Sequence, residues 1–270
     1  MRVRALVALA VVTAVVSVGG SAFADTTTTT TAGEPAHTPT AHPFSGMSTV
    51  GPLFLPGSSS HFCTASVVDS AAGDLLITAA HCLVGSVVGY TFAPGYHHGI
   101  EPFGSWTVVG AYAPSGWMTH QAAQDDVALL KVAPRQVDGR TTEIESMTGG
   151  NRLDIAPATG QEITAPAYDL GHDDDPITCA ARVYYHDRYP AFDCNPYPDG
   201  TSGAPWLRRT DHGWDVVGVI GGLHQGGCET WTSYSPTFDQ ALLHTLSDAG
   251  HGPPVASLPA AGSDGCTTGL

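Results

Sequence analysis

Short β-branched and aromatic runs fill the middle of this chain and constrain its fold more than any other feature. The runs 62–68, 75–78, 106–112, 127–132, 181–185 and 216–220 are each a few residues long and are punctuated by Gly, Pro and Asp. Such runs read as strands separated by turns. Helical spacing is scarce. The exception is 238–249, where Phe238, Leu242, Leu243 and Leu246 recur at helical intervals. Many short strands with one C-terminal helix predict an all-β protein of two packed antiparallel barrels. Gly139, Gly149 and Gly150 mark a boundary near 140–155. They divide a folded region, 46–249, into barrels of about 46–145 and 146–249, and the cleft between them is a usual place for a site.

The ends read differently. Arg2 and Arg4 precede a short apolar core, and Ala22-Phe23-Ala24 is a small-x-small cleavage site. Residues 1–24 are therefore expected to be a signal peptide, and the product to be secreted. The Thr- and Pro-rich segment 25–45 is expected to be a disordered leader or propeptide. The tail 250–270 reads as loop that Cys266 can tie down. A formal net charge of −15 argues against nucleic acid or an anionic membrane as partner. No later stretch is long and apolar enough to span a bilayer. The six cysteines, an even number in an exported chain, read as three disulfides. No C-x-x-C pair is present, so neither a metal site nor a cofactor is expected. The run His172-Asp173-Asp174-Asp175 reads as a solvated acidic loop rather than a calcium cage.

Three stretches carry the chemistry, in this order: Thr78-Ala79-Ala80-His81-Cys82, Asp125-Asp126-Val127-Ala128-Leu129-Leu130, and Asp199-Gly200-Thr201-Ser202-Gly203. A serine hydroxyl is a weak nucleophile and needs a neighbour that takes its proton. An imidazole such as His81 both takes and returns a proton near neutral pH. A carboxylate must hold that ring and stabilise its cation. Asp126 is preferred to Asp125 because it directly precedes the apolar run, where a carboxylate can be desolvated and fixed. Alternation along the chain turns Asp125 the other way. The glycines around Ser202 permit a tight turn, and the N–H groups of Gly200 and Ser202 are the expected oxyanion donors.

With these motifs in that order, the chain from about residue 50 to residue 249 resembles the chymotrypsin-like (trypsin-fold) serine proteases. The most specific part is Phe62-Cys63-Thr64-Ala65-Ser66-Val67-Val68 followed by Leu76-Ile77-Thr78-Ala79-Ala80-His81-Cys82. The resemblance implies two six-stranded barrels, a Ser202–His81–Asp126 triad, a Cys63–Cys82 disulfide behind the histidine, and a protein or peptide substrate for a monomeric enzyme. It also implies that 216–222 is the strand lining the substrate pocket. The remaining four cysteines allow three pairings. Cys179–Cys194 with Cys228–Cys266 is favoured, and Cys194–Cys228 is the rival.

The departures place the chain near the bacterial branch, beside streptogrisins and glutamyl endopeptidases. The residue before the nucleophile is Thr201 rather than an Asp that would receive a freed N-terminus. The position six before Ser202 is Pro196, so a preference for basic residues is not implied. Gly221 stands where a serine often touches the catalytic carboxylate. Pro196, Gly221, Gly222 and His224 are the expected pocket residues. His224 falls one residue out of register with a histidine that glutamyl endopeptidases use to bind an acidic side chain, so an ordinary surface-loop histidine is preferred and a reader of acidic side chains is the alternative. A selective esterase or processing protease, or a catalytically weak binding protein on a protease scaffold, are the alternative functions.

Overall fold

The computed structural model describes residues 33–172 and 174–266. The expected signal peptide and the leader up to residue 32 lie outside the described residues. Leu75, Leu76 and Ile77 are apolar at successive positions because their strand is buried on both faces. Leu76 points into one core, while Leu75 and Ile77 point into another. Leu130 and Leu129 divide in the same way. This follows from the two-residue period of a strand.

The first core fills a closed barrel. Its strands run in the order Val50–Phe54, His61–Val67, Leu75–Thr78, Ala128–Val132, Trp106–Tyr112 and Thr91–Phe92, and the last returns to the first. Leu53, Leu76, Phe92, Trp106 and Leu130 are fully buried inside it. Each such side chain contributes about 1.5–3 kcal/mol through burial.

The second half contains a five-stranded sheet, ordered Arg152–Leu153, Gly213–Val219, Pro205–Thr210, Glu162–Thr164 and Ala180–Arg182. A three-stranded sheet, Tyr184–His186, Tyr189–Asp193 and Thr232–Tyr234, lies alongside. Both contribute to one core around Ile163, Val183, Phe192, Trp206 and Val217. One six-stranded barrel is thus closed by continuous pairing. In the second half, isolated bridges such as Ala167 with Ile177 stand where a regular ladder would run.

The remaining core is the seam between the halves. Leu75, Ile77, Val127 and Leu129 meet Tyr168, Leu207 and Val216 there. The helix Gln240–His251 covers the seam with Leu242, next to Phe238. The Asp239 carboxylate caps it by accepting from Ala241 N–H at 2.8 Å.

Two expectations about the ends are corrected. Residues 34–43 are ordered by backbone pairing: Thr40 bridges Asn195, and the strand His42–Pro43 pairs with Ile177–Thr178. The tail is not plain loop either. Its strand Ser257–Leu258 pairs with Gly85–Ser86, and Leu258 enters the barrel core. The disulfides join Cys63 to Cys82, Cys179 to Cys194 and Cys228 to Cys266. The first closes a 19-residue separation and is worth roughly 3 kcal/mol in the chain-entropy model.

Candidate active site

His81 follows the strand Leu75–Thr78 on a single 3₁₀ turn, Ala80–Cys82. Ala79 and Ala80 are fully buried, and their small side chains let this turn sit flush against the barrel. The Cys63–Cys82 disulfide holds it from behind. Asp126 lies at the root of the strand Ala128–Val132 and has no exposed surface.

A buried carboxylate needs several donors, and Asp126 has three. His81 N–H donates to Oδ1 at 2.8 Å. His81 Nδ1–H and Gly222 N–H each donate to Oδ2 at 2.8 Å. Because a carboxylate only accepts, the ring proton sits on Nδ1 and Nε2 is left as an acceptor. Asp125 takes no part. It lies against Gly116, and burial, aided by Asp239, pushes its carboxyl above the ordinary range.

The serine turn comes from the second half and docks on the first. Gly203 has φ +80, and a side chain there would strike Thr78 Oγ1 and Thr64 O. The turn therefore presses against the segment leading into His81, and Thr64 N–H donates to Ser202 O at 2.8 Å. Gly200, at φ +96, leaves no room for a Cβ against Asp169 and Leu170. Thr201 is almost fully buried, and its Oγ1–H donates to Pro198 O at 2.7 Å. That bond closes the turn internally at the position where an N-terminal ion pair was not expected. Among the described residues, the N–H groups of Gly200 and Ser202 donate to nothing, and the Ser202 hydroxyl has no hydrogen-bond partner.

A cavity of about 250 Å³ opens beside Ser202. Tyr197, Asp199, Thr201, Ile220, Gln225 and Glu229 are among its walls. Glu229 and Asp199 have no cationic partner among the described residues. Of the expected pocket residues, none lines this cavity. Pro196 is exposed and one step removed from the wall, which starts at Tyr197. Gly221 packs behind the carboxylate: a Cβ there would sit 3.1 Å from Asp126 Oδ2. Gly222 faces the carboxylate through its backbone, as the N–H donor to Oδ2 described above. His224 turns away, and its Nδ1–H donates to Asp264 O at 2.7 Å. Its left-handed backbone, φ 53, redirects the side chain to the tail. No residue-type signal marks Gln225 or Glu229 as wall residues, since their placement depends on that loop's path. His224, Cys228 and Cys266 cluster as metal ligands do, but both sulfurs are consumed in a disulfide and offer no thiolate.

The acidic run is more than a solvated loop. Asp174 Oδ1 lies 2.8 Å from Nε2 of the fully buried His61. Burial and the neighbouring Asp174 push the Asp169 carboxyl up.

The architecture is that of the trypsin-fold serine proteases. The protease Anisep from Arthrobacter nicotinovorans is 21% identical with a TM-score of 0.64, over 77% of this chain and 98% of that one. The thermostable serine protease AL20 from an extremophilic microorganism is 20% identical with a TM-score of 0.62, over 75% and 96%. A Glu endopeptidase in complex with MPD is 18% identical with a TM-score of 0.60, over 78% and 96%. No protein-family model and no curated protein matches the sequence. Identities this low establish the fold, and function has to be argued from the site. Among the described residues, no helix is long and apolar enough to cross a membrane.

Proposed function

We propose that this chain is a secreted serine endopeptidase acting through Ser202, His81 and Asp126. The observation that carries the reading is the buried Asp126 carboxylate, which holds His81 through both its ring and its backbone. A fully buried acid whose nearest basic group is an imidazole is costly as structure and useful as an orienting group. Ser202 Oγ attacks the scissile carbonyl while His81 Nε2 takes its proton, and Asp126 stabilises the imidazolium. The oxyanion settles on the N–H groups of Gly200 and Ser202. His81 then protonates the leaving amine, and water hydrolyses the acyl-enzyme by the same steps in reverse roles.

The two sheets of the second half are read as the second barrel. Three disulfides support an exported product. The cavity beside Ser202 has acidic walls, so it favours a cationic substrate side chain over an acidic one. His224, bonded to the tail at Asp264, fits the preferred loop-histidine reading rather than that of a reader of acidic side chains.

Labelling with a fluorophosphonate tests the reading. A formed site labels Ser202, identified by peptide mass mapping. Ser202→Ala abolishes labelling and lowers kcat on peptides by about 10⁶ with folding intact. A protein that folds but never labels is a binding scaffold, not a hydrolase.

A further inference from the structure

His224 and Gln225 are consecutive residues with left-handed backbones, φ 53 and ψ 33, then φ 53 and ψ 31. Neither is glycine. Side chains disfavour this conformation, and it persists only where the surroundings over-determine it. Here the surroundings are the C-terminal tail. His224 Nδ1–H donates to Asp264 O at 2.7 Å, and Gln225 Nε2–H donates to Gly262 O at 2.9 Å. Cys228, three residues on, is bonded to Cys266. The far end of the tail is fixed to the barrel by Val255, bridged to Ala111, and by buried Leu258.

The strained turn divides two cavities. Gln225 lines the cavity beside Ser202. It also lines a second one, of about 220 Å³, bounded by Trp117, Asp126, Leu223 and the tail at Ala261–Asp264. The tail therefore acts on both: it clamps the wall they share and forms the outer wall of the second.

Resting on the endopeptidase reading, we propose that residues 259–266 are a specificity strap. The strap holds the His224–Gln225 turn in the shape that walls the cavity beside Ser202. Together with Trp117 and Leu223 it builds a second cavity for another side chain of an extended peptide, one that is apolar at its tip. His224 and Gln225 are positioning residues in this scheme, since neither touches the reacting atoms.

Cys266→Ser releases the strap while leaving every residue of the turn in place. The readouts are fluorophosphonate labelling of Ser202 and KM and kcat separately on hexapeptide substrates. The expected result is that labelling persists while KM on hexapeptides rises about tenfold, with a smaller change in kcat, because pre-organisation of the wall is lost. The preference at the second side chain broadens in a peptide library. A merely structural disulfide would lower Tm without moving the KM-to-kcat split or the library profile.

Should that variant fail to fold, the full chain treated with a mild thiol gives the same measurement. Cys228 is exposed, whereas Cys63, Cys82, Cys179 and Cys194 are buried, so Cys228–Cys266 opens first, and mass spectrometry locates the freed thiols. Unchanged hexapeptide KM and an unchanged library profile with that bond open overturn the strap. Absence of labelling in the parent protein sinks the hydrolase reading instead, so the two failures are told apart.

Discussion

Asp126 and Asp125 are neighbours in sequence with opposite fates. Asp126 loses all exposure and gains three donors, whereas Asp125 gains none from His81. The choice was legible because Asp126 directly precedes the apolar run, but not through strand alternation: Asp125 ends a 3₁₀ turn, Ala123–Asp125, and the strand begins only at Ala128. The pocket was not readable in the same way. Pro196 was placed by counting back from Ser202 and His224 by an approximate resemblance, and neither fixes the path of a loop, such as the one that turns left-handed at 224 and 225. Glu229, which the count passes over, is an acid in the cavity wall with no cationic partner among the described residues. Glu229→Gln is expected to raise KM about tenfold for peptides carrying Arg or Lys at the cleaved residue and to leave neutral ones nearly unchanged. Steady-state kinetics on matched peptides check this, and equal effects on both classes would remove Glu229 from recognition.

At the level of elements, strands with an apolar signature were legible and strands without one were not. The runs feeding the barrel could be located because each buries side chains on one face or both. The strands His42–Pro43 and Ser257–Leu258 are two residues long and lie in Pro-rich sequence. They pair through backbone groups, which every residue carries, and only Leu258 among their residues enters a core, so composition reveals little about them. The N-terminal arm grips Asn195 from both sides: Ala41 N–H donates to Asn195 O, and Asn195 N–H to Pro39 O, each at 2.9 Å. Asn195 stands two residues before the cavity wall at Tyr197. Deleting residues 1–43 is expected to cost about 1–2 kcal/mol, or about 2–6 °C in Tm, from the lost backbone bonds. Differential scanning calorimetry on the truncated chain measures it, and an unaltered Tm would show the arm to be passive.

Across the whole molecule, charge sets the response to pH. Burial tends to raise the Asp215 carboxyl, but its hydrogen bonds to Arg152 and Arg208 outweigh this and hold it below the ordinary range. A folded value below the unfolded one means that this stabilisation is complete above about pH 4 and is lost as pH falls through the folded value. Asp125, Glu143, Glu145 and Asp169 are shifted the other way, chiefly by burial. Their ionisation works against folding, so stability declines as pH rises through their folded values. Self-repulsion at a net charge of −15 adds to that decline. Tm is expected to peak near about pH 5 and to fall steeply below about pH 4. Asp215→Asn lowers Tm at neutral pH and flattens the acid limb. Calorimetry from pH 3 to pH 8 reads both, and a Tm that climbs steadily to pH 8 contradicts the balance.

The seam has one more consequence. His81 and Asp126 ride on one half of the molecule and Ser202 on the other, so the proposed site is whole only once the two halves are docked. On the endopeptidase reading, a copy with one half folded and the other not carries no complete site, so activity and the burial of the seam are acquired together.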